Sequence, residues 1–396
     1  MSLIDEIRVF HDEFTQIRRD LHAHPEPAFQ ETRTAKIITE LLAAWGLEVH
    51  TGVGQTGVVG VLRGSAGKSR HAIGLRADMD ALPMQEKTGL AHASTVPGAM
   101  HGCGHDGHTT ILLYAAKWLS QHRDFAGTVN FIFQPAEELP PGGAKAMLDD
   151  GLFERFPCDE IYGLHNRPGL PLGHIGLTAG VSSASSNSFE ITLKGVGGHA
   201  AMPHKTVDPV VIGAEVVLAL QTLISRHKNP DTAAVLSVTQ FHAGDAYNVI
   251  PDEAVLKGTM RTFDMQLIDD IEAGMRCMVE MLPAMHGGSG VLSFERGYPV
   301  LLNHEPQRQF VIAVAETLFG KDHVDTHFPR RSGSEDFAYY LQKVPGCFAQ
   351  LGIGNNTDGG QGVREVHHPC YDFNDEALPY GAAFWVSLVQ AFFARK

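Results

Sequence analysis

The chain is short of positive charge: 31 lysines and arginines stand against 45 aspartates and glutamates, a formal net charge of −14. Proteins that grip a phosphate backbone carry basic patches, and the pairs Arg18-Arg19 and Arg330-Arg331 are too short to make one. Nucleic acid is therefore not an expected partner. Cysteine is scarce as well. Cys103, Cys158, Cys277, Cys347 and Cys370 are odd in number and widely spaced, which argues against a disulfide framework and suits a reducing compartment. The stretch from Met1 to Phe14 is acidic and amphipathic, without the basic start and apolar core of a secretory leader. No apolar run approaches bilayer length, so the expectation is a cytoplasmic protein with no membrane partner. Repeats, low-complexity tracts and long linkers are also missing. What is present, 43% hydrophobic and 19% charged residues over 396 positions, describes an ordinary globular chain long enough for two domains.

The apolar pattern alternates between helix and strand. Helices are predicted over 3–22, 31–45 and 107–121, and buried strands at Val58–Leu62, Ile73–Met79, Val129–Phe133 and Glu160–Leu164. That order predicts an α/β sheet with helices on its faces. From about 182 to 298 the character changes. A strand at Phe189–Lys194 is followed by a helix at Val207–His227, with Val207, Val210, Val211, Ala214 and Leu218 along one face. Strands at Ala234–Phe241 and Ala254–Thr262, a helix at Met265–Met285 and a strand at Gly290–Arg296 complete a β-α-β-β-α-β series, the order of a ferredoxin-like α+β unit. The α/β pattern resumes with helices at 308–320 and 334–343, the second opened by a capping box of Ser332 and Glu335, a strand at Cys347–Gly354 and a closing helix at Asp375–Arg395. The fold predicted is a discontinuous α/β domain, 1–181 and 299–396, with a second domain, 182–298, inserted in it.

One eight-residue window concentrates the chemistry. His101-Gly-Cys-Gly-His-Asp-Gly-His108 brings three imidazoles, a thiol and a carboxylate together between glycines that free the backbone to converge them. Such groups are costly to crowd unless a cation holds them. Further candidates lie just past apolar strands, where open α/β sheets collect ligands: Asp78 and Asp80, two apart on one side of an extended segment, Glu137 and Glu138 after Gln134-Pro135, and His165. His367-His368 precedes the last helix. Taken singly, each has a plain structural reading: a polar turn, a solvated acidic loop, or a histidine hydrogen-bonded at a strand end. Adjacent carboxylates leaving a strand point in different directions, so one of Glu137 and Glu138 could bind a metal while the other takes a proton from water.

Nine segments in order, among them Leu75-Arg-Ala-Asp-Met-Asp-Ala-Leu82, Met100 through His108, Phe133-Gln-Pro-Ala-Glu-Glu138, Gly197-Gly-His-Ala-Ala-Met-Pro-His204, Asn248-Val-Ile-Pro251, Gly258-Thr-Met-Arg261, Gly333-Ser-Glu-Asp-Phe337 and His367-His368, make the chain similar to the M20 metallopeptidase clan. Within it the resemblance is to the M20D amidohydrolases, which include hippurate hydrolases, N-acyl-amino-acid amidohydrolases and auxin-conjugate hydrolases. The resemblance implies a metal-dependent enzyme cleaving the amide bond of N-acyl amino acids, small-molecule substrates. It implies that Cys103, His105, Glu138, His165 and His368 bind two divalent metal ions, Cys103 bridging them. A thiolate bridge makes a softer site, for manganese, zinc, nickel or cobalt rather than magnesium. Glu137 is the implied general base. Asp80 is the implied carboxylate that orients a ligand histidine, with Asp78 as a lesser helper. The inserted domain is implied to be a lid and dimerisation surface in a homodimer or tetramer. On it His199 steadies the oxyanion in a partner's site, and Asn248 and Arg261 bind the substrate's carboxylate end. Many members of the family have methionine just before Gly-Ser-Glu-Asp-Phe, whereas this chain has Arg330-Arg331-Ser332, which leaves the acyl preference open.

Two other readings fit the residues. Cys103 could be the nucleophile of a cysteine hydrolase with His105 or His108 as base, although i,i+2 residues on a glycine-rich loop rarely present a thiol and its base to one carbonyl. The chain could also be a metal- or ligand-binding dimer without turnover, against which Glu137 and Asp80 are both retained.

Overall fold

The computed structural model describes residues 2–354 and 364–396. The chain divides into two compact units, Met1–Ser182 with Leu302–Arg330 and Asp336–Lys396, and Ser183–Leu301 with Arg331–Glu335. The short piece Arg331–Glu335, expected with the α/β part, goes with the second unit.

The first unit is built on an eight-stranded sheet in the order Glu48–Val53, Gly57–Arg63, Thr128–Gln134, Ala72–Asp78, Glu160–Arg167, Gly346–Gly352, Ile175–Gly176 and Val324–Asp325. Four neighbours in the middle run parallel, in registers such as Ala72↔Thr128, Gly74↔Ile161 and Ala349↔Leu164. Strands covered by helices on both faces read as unbroken apolar runs. Every residue of Ala72–Asp78 and Gly346–Gly352 is buried. The helices His105–Gln121 and Leu378–Ala394 pack on each other, and Ile111, Leu112, Leu119, Trp385, Val389 and Phe392 join the sheet's side chains in one core. Because the four strands point the same way, their carboxyl ends share one edge, and the polar candidates gather there.

Local sequence reading departed from the structure at several points. The predicted helix 3–22 breaks into Leu3–Arg8 and His11–Ala23. Glu48–Val53, an edge strand of mixed polarity paired antiparallel with Gly57–Arg63, has too little apolar alternation to announce itself. The helix predicted at 334–343 shrinks to Ala338–Leu341. Asp336 is instead drawn into the core, where it accepts from Arg76 Nη2 at 2.9 Å, from Gln134 Nε2 at 2.8 Å and from the Ala144 N–H at 2.9 Å; tertiary hydrogen bonds to a buried carboxylate outweigh a local cap. Two helices, Pro209–His227 and Asp375–Ala394, are also long and apolar enough to cross a membrane, contrary to the expectation that no run is. The second is a core helix, with 67% of its most apolar stretch buried.

The second unit has a four-stranded antiparallel sheet ordered Ala234–Ala243, Glu253–Thr262, Asn187–Lys194, Ser289–Arg296, the strand order of a ferredoxin-like sandwich. Its helices begin where a side chain can cap them: Asp208 accepts from the Val210 N–H and Asp264 from the Gln266 N–H, each at 2.9 Å. The inward face of Pro209–Thr222 is Ile212, Val216 and Leu220, packed with Ile268, Ile271, Met275 and Val279 of Met265–Met285. Most of the apolar face picked out in the sequence lies on the outside: Val210, Val211 and Leu218 are 41, 52 and 71% exposed. That helix is apolar all round, so periodicity alone did not choose between its faces.

Candidate metal centre

His105 opens the helix His105–Gln121 behind Gly104, whose φ of +90° suits glycine. A Cβ on Gly104 would also lie 2.5 Å from Tyr371 Oη and 2.6 Å from Asn166 Oδ1. The glycine thus serves a tight approach as much as a turn. From that position the His105 ring stands between the two aspartates. Nδ1 is 3.0 Å from the Asp80 carbonyl and 3.1 Å from Asp80 Oδ1, and Nε2 is 3.6 Å from Asp78 Oδ2. Both oxygens at Nδ1 can only accept, so Nδ1 carries the proton and Nε2 presents its lone pair. Asp80 Oδ2 accepts from the Glu138 N–H at 3.0 Å, so one carboxylate fixes the imidazole and the acidic turn together. Orienting contacts of this kind fix the tautomer of ligand histidines.

The other candidates close around that lone pair. Cys103 Sγ is 3.5 Å from His165 Nε2, and His165 Nδ1 donates to the Asn166 carbonyl at 2.7 Å, which turns the Nε2 lone pair toward Cys103. Three sets, Cys103-His105-His165, His105-Glu137-Glu138 and Cys103-Glu138-His367, each hold their ligand atoms within 4.8 Å of one another. Their shared members link them into one cluster. His105 Nε2 and Glu138 Oε1 are buried without a hydrogen bond, although Glu138 Oε1 lies 3.1 Å from His367 Nε2. Unsatisfied buried ligand atoms are costly, and a thiol, three imidazoles and a carboxylate converging on one space fit divalent cations. Electrostatics points the same way. Burial and the Glu138 carboxylate push the Cys103 thiol up; the neighbouring Cys103 and Glu138 side chains raise His367 to about 10. A buried thiol with a raised pKa is the opposite of an activated nucleophile, which weighs against a cysteine hydrolase.

The imidazole of the pair that joins the cluster is His367, not His368 as expected. His368 is exposed and its Nδ1 accepts from the Cys370 N–H at 3.0 Å. His367 has φ +66° and its N–H donates to the Gly102 carbonyl at 2.7 Å, which turns its ring toward Glu138. Neighbouring residues face different ways, and sequence could not say which backbone would take the left-handed turn.

Much of the histidine window is bonded to groups other than the cluster's ligands, although His108 lies beside His165 and forms a further set with Asp78 and His105. His108 is spent on both nitrogens, Nδ1 on Asp78 Oδ1 at 2.5 Å and Nε2 accepting from the Asn166 N–H at 2.9 Å, which removes it as the base of a thiol mechanism. Asp106 Oδ2 meets His22 Nδ1 at 2.8 Å and Arg18 Nη1 at 3.5 Å. His101 is buried beside His22 and held neutral by burial, its pKa lowered to about 3. Arg18, wholly buried, donates from Nε to Asp375 at 2.6 Å, from Nη1 to Asp372 at 2.9 Å and from Nη2 to the Phe373 carbonyl at 3.0 Å. It ties the segment that follows His367 to the start of the His105 helix. Sequence reading assigned no role to this clamp, although Arg18 and His22 both lie in Ile17-Arg-Arg-Asp-Leu-His22, one of the nine segments of the resemblance. Arg18→Met should strand those carboxylates and cost about 3–5 kcal/mol in urea unfolding; a loss under 1 kcal/mol would deny the clamp.

Burial opposes a charge on His22, but Asp106 and Glu86 outweigh it and raise its pKa to about 9 from 6.5. The stabilisation is complete below pH 6.5 and is lost as pH rises toward 9, on the order of 3 kcal/mol in all. Urea midpoints measured from pH 6 to pH 10 should therefore fall for the wild type and fall less for His22→Gln. Equal slopes would contradict it.

On the second unit, His199 and Asn248 are exposed and come together on a small ribbon in which His199 pairs with Val249 and the Ala200 N–H donates to the Asn248 carbonyl at 3.0 Å. Arg261 lies elsewhere in that unit. It lines a cavity of about 520 Å³ with Lys228, Thr259, Phe263 and Ser332, and its Nη1 is 3.4 Å from Ser334 Oγ.

Comparison with known proteins agrees with this architecture. The model of peptidase family M20/M25/M40 matches residues 74–391. The chain is 39% identical to a hippurate hydrolase of Campylobacter jejuni, over 98% of each chain. It is 38% identical to an N-acetylcysteine deacetylase of Bacillus subtilis, over 96% of this chain and 97% of the other. A crystal structure of a dinuclear metal-binding M20 peptidase from Bacillus subtilis superposes with a TM-score of 0.84 at 34% identity, covering 98% of this chain and 99% of that one. By the extent of these matches, the chain belongs to peptidase family M20/M25/M40.

Proposed function

We propose that the protein is a metal-dependent amidohydrolase that cleaves N-acyl amino acids, the class to which its hippurate hydrolase and N-acetylcysteine deacetylase relatives point. The observation that carries this reading is the convergence of Cys103, His105, Glu138, His165 and His367 with two unsatisfied ligand atoms, and Glu137 in the same cluster. Two divalent ions held there, of manganese, zinc, nickel or cobalt, would polarise the amide carbonyl and acidify the attacking water. Glu137, nine-tenths buried, takes the proton from that water and returns it to the leaving nitrogen. Asp80 keeps His105 in the ligating tautomer and steadies the turn that carries Glu138.

His199, Asn248 and Arg261 are the groups proposed to hold the oxyanion and the substrate carboxylate, the last suited by its planar cation. The smaller unit is proposed as lid and dimer surface. Its exposed Val210, Val211 and Leu218 and its edge strand Ala234–Ala243 support a homodimer, with a tetramer as the alternative. Five free cysteines support a reducing, cytoplasmic setting.

The test is a panel of acetyl, benzoyl and indole-acyl amino acids and short peptides, assayed before and after chelation. Hydrolysis should vanish with the chelator and return with Mn²⁺ or Zn²⁺. Activity that survives chelation would refute the metal mechanism.

A further inference from the structure

Glu31 is fully buried at the start of the helix Thr32–Ala44, yet its side chain does not cap that helix. It reaches away instead. Oε2 accepts from Thr56 Oγ1 at 2.6 Å, and Oε1 accepts from the Ala136 N–H at 2.9 Å. Neither donor is charged, and the nearby Asp80 adds a like charge, so burying a carboxylate here is costly. The residue it holds is unusual too. Ala136 has φ +50°, a left-handed conformation that a residue with a Cβ adopts only where its surroundings impose it. Its carbonyl accepts from the Gly143 N–H at 3.0 Å, so both backbone groups of Ala136 are tied. The next two residues are Glu137 and Glu138. A second buried carboxylate, Asp80, takes the Glu138 N–H.

We infer that Glu31 is a positioning residue: through the Ala136 N–H it holds the left-handed turn that sends Glu137 and Glu138 into the metal cluster. The inference rests on the proposed function and adds to it a residue about a hundred positions away that touches no ligand atom. Relaxing the turn would let both glutamates swing, which alters metal binding and proton transfer together. Substrate binding on other residues would be left alone.

The test uses the full-length protein, with Mn²⁺ affinity by titration calorimetry and kcat and KM on an N-acyl amino acid that the wild type hydrolyses. Glu31→Ala should weaken Mn²⁺ binding and lower kcat by roughly 10–100-fold, with KM little changed. Glu31→Gln keeps an oxygen for the Ala136 N–H and should recover most of both. Adding Ala136→Gly to Glu31→Ala should recover part of the loss, because glycine takes positive φ without strain; a merely structural defect would not respond. If Glu31→Ala fails to fold, Thr56→Val removes one donor to the same carboxylate and should show a smaller loss in the same two readouts. Wild-type affinity and kcat in Glu31→Ala, or in Thr56→Val where Glu31→Ala does not fold, would overturn the inference, as would a loss that Ala136→Gly leaves untouched. A wild-type protein that neither binds Mn²⁺ nor hydrolyses the panel defeats the proposed function and this inference together. One that does both while Glu31→Ala matches it defeats the inference alone.

Discussion

Glu137→Gln is expected to keep its metal and lose hydrolysis. The amide has the size and polarity of the carboxylate it replaces, and Cys103, His105, Glu138, His165 and His367 stay in place, so metal content by elemental analysis should match the wild type. What goes is the group that accepts a proton from water and passes it to the leaving amine. Positioned acid–base groups contribute about 10²–10⁴-fold to such reactions, and because Glu137 is 7% exposed, bulk water is a poor substitute. The expected fall in kcat is of that size. Unimpaired turnover would remove Glu137 from the role of base, and a matching loss of metal would make it a ligand.

Cys103→Ser should act on the metal itself. Cys103 belongs to two of the ligand sets and is 6% exposed, and a serine hydroxyl is a far poorer anionic donor than a thiolate. The affinity for at least one of the two ions is expected to fall on the order of 100-fold or more, more than the loss of an outer contact would cause. Elemental analysis of the purified variant reads this directly. The result also separates the two enzymatic readings: both lose activity with Cys103, but a nucleophilic cysteine could be replaced without changing the metal stoichiometry. Full occupancy in Cys103→Ser would exclude it as a ligand.

The parts of this protein legible in the sequence are those written in local pattern. Buried parallel strands declare themselves as apolar runs, as at Ala72–Asp78, and the β-α-β-β-α-β series forecast a sheet whose strand order the structure then showed. The octapeptide around Cys103 announced metal chemistry because thiol, imidazole and carboxylate are rarely crowded without a cation. Reading failed where one residue's environment comes from elsewhere in the chain. The helix Pro209–Thr222 is apolar on every side, so the buried stripe of Ile212, Val216 and Leu220 was chosen by the sheet beneath it. The capping box of Ser332 and Glu335 lost to the buried partners of Asp336.

By itself, the sequence determined the kinds of side chain available for metal and proton chemistry and the strands whose ends would carry them, because residue type and periodicity are local properties. Only the tertiary structure decided that His367 rather than His368 joins Cys103, that His108 and Asp106 are spent on Asp78, Arg18 and His22, and that Glu31 pins the turn before Glu137. Those outcomes depend on backbone angles and buried partners supplied by segments far apart in the chain, and the cost of leaving a buried polar group unpaired selects among them.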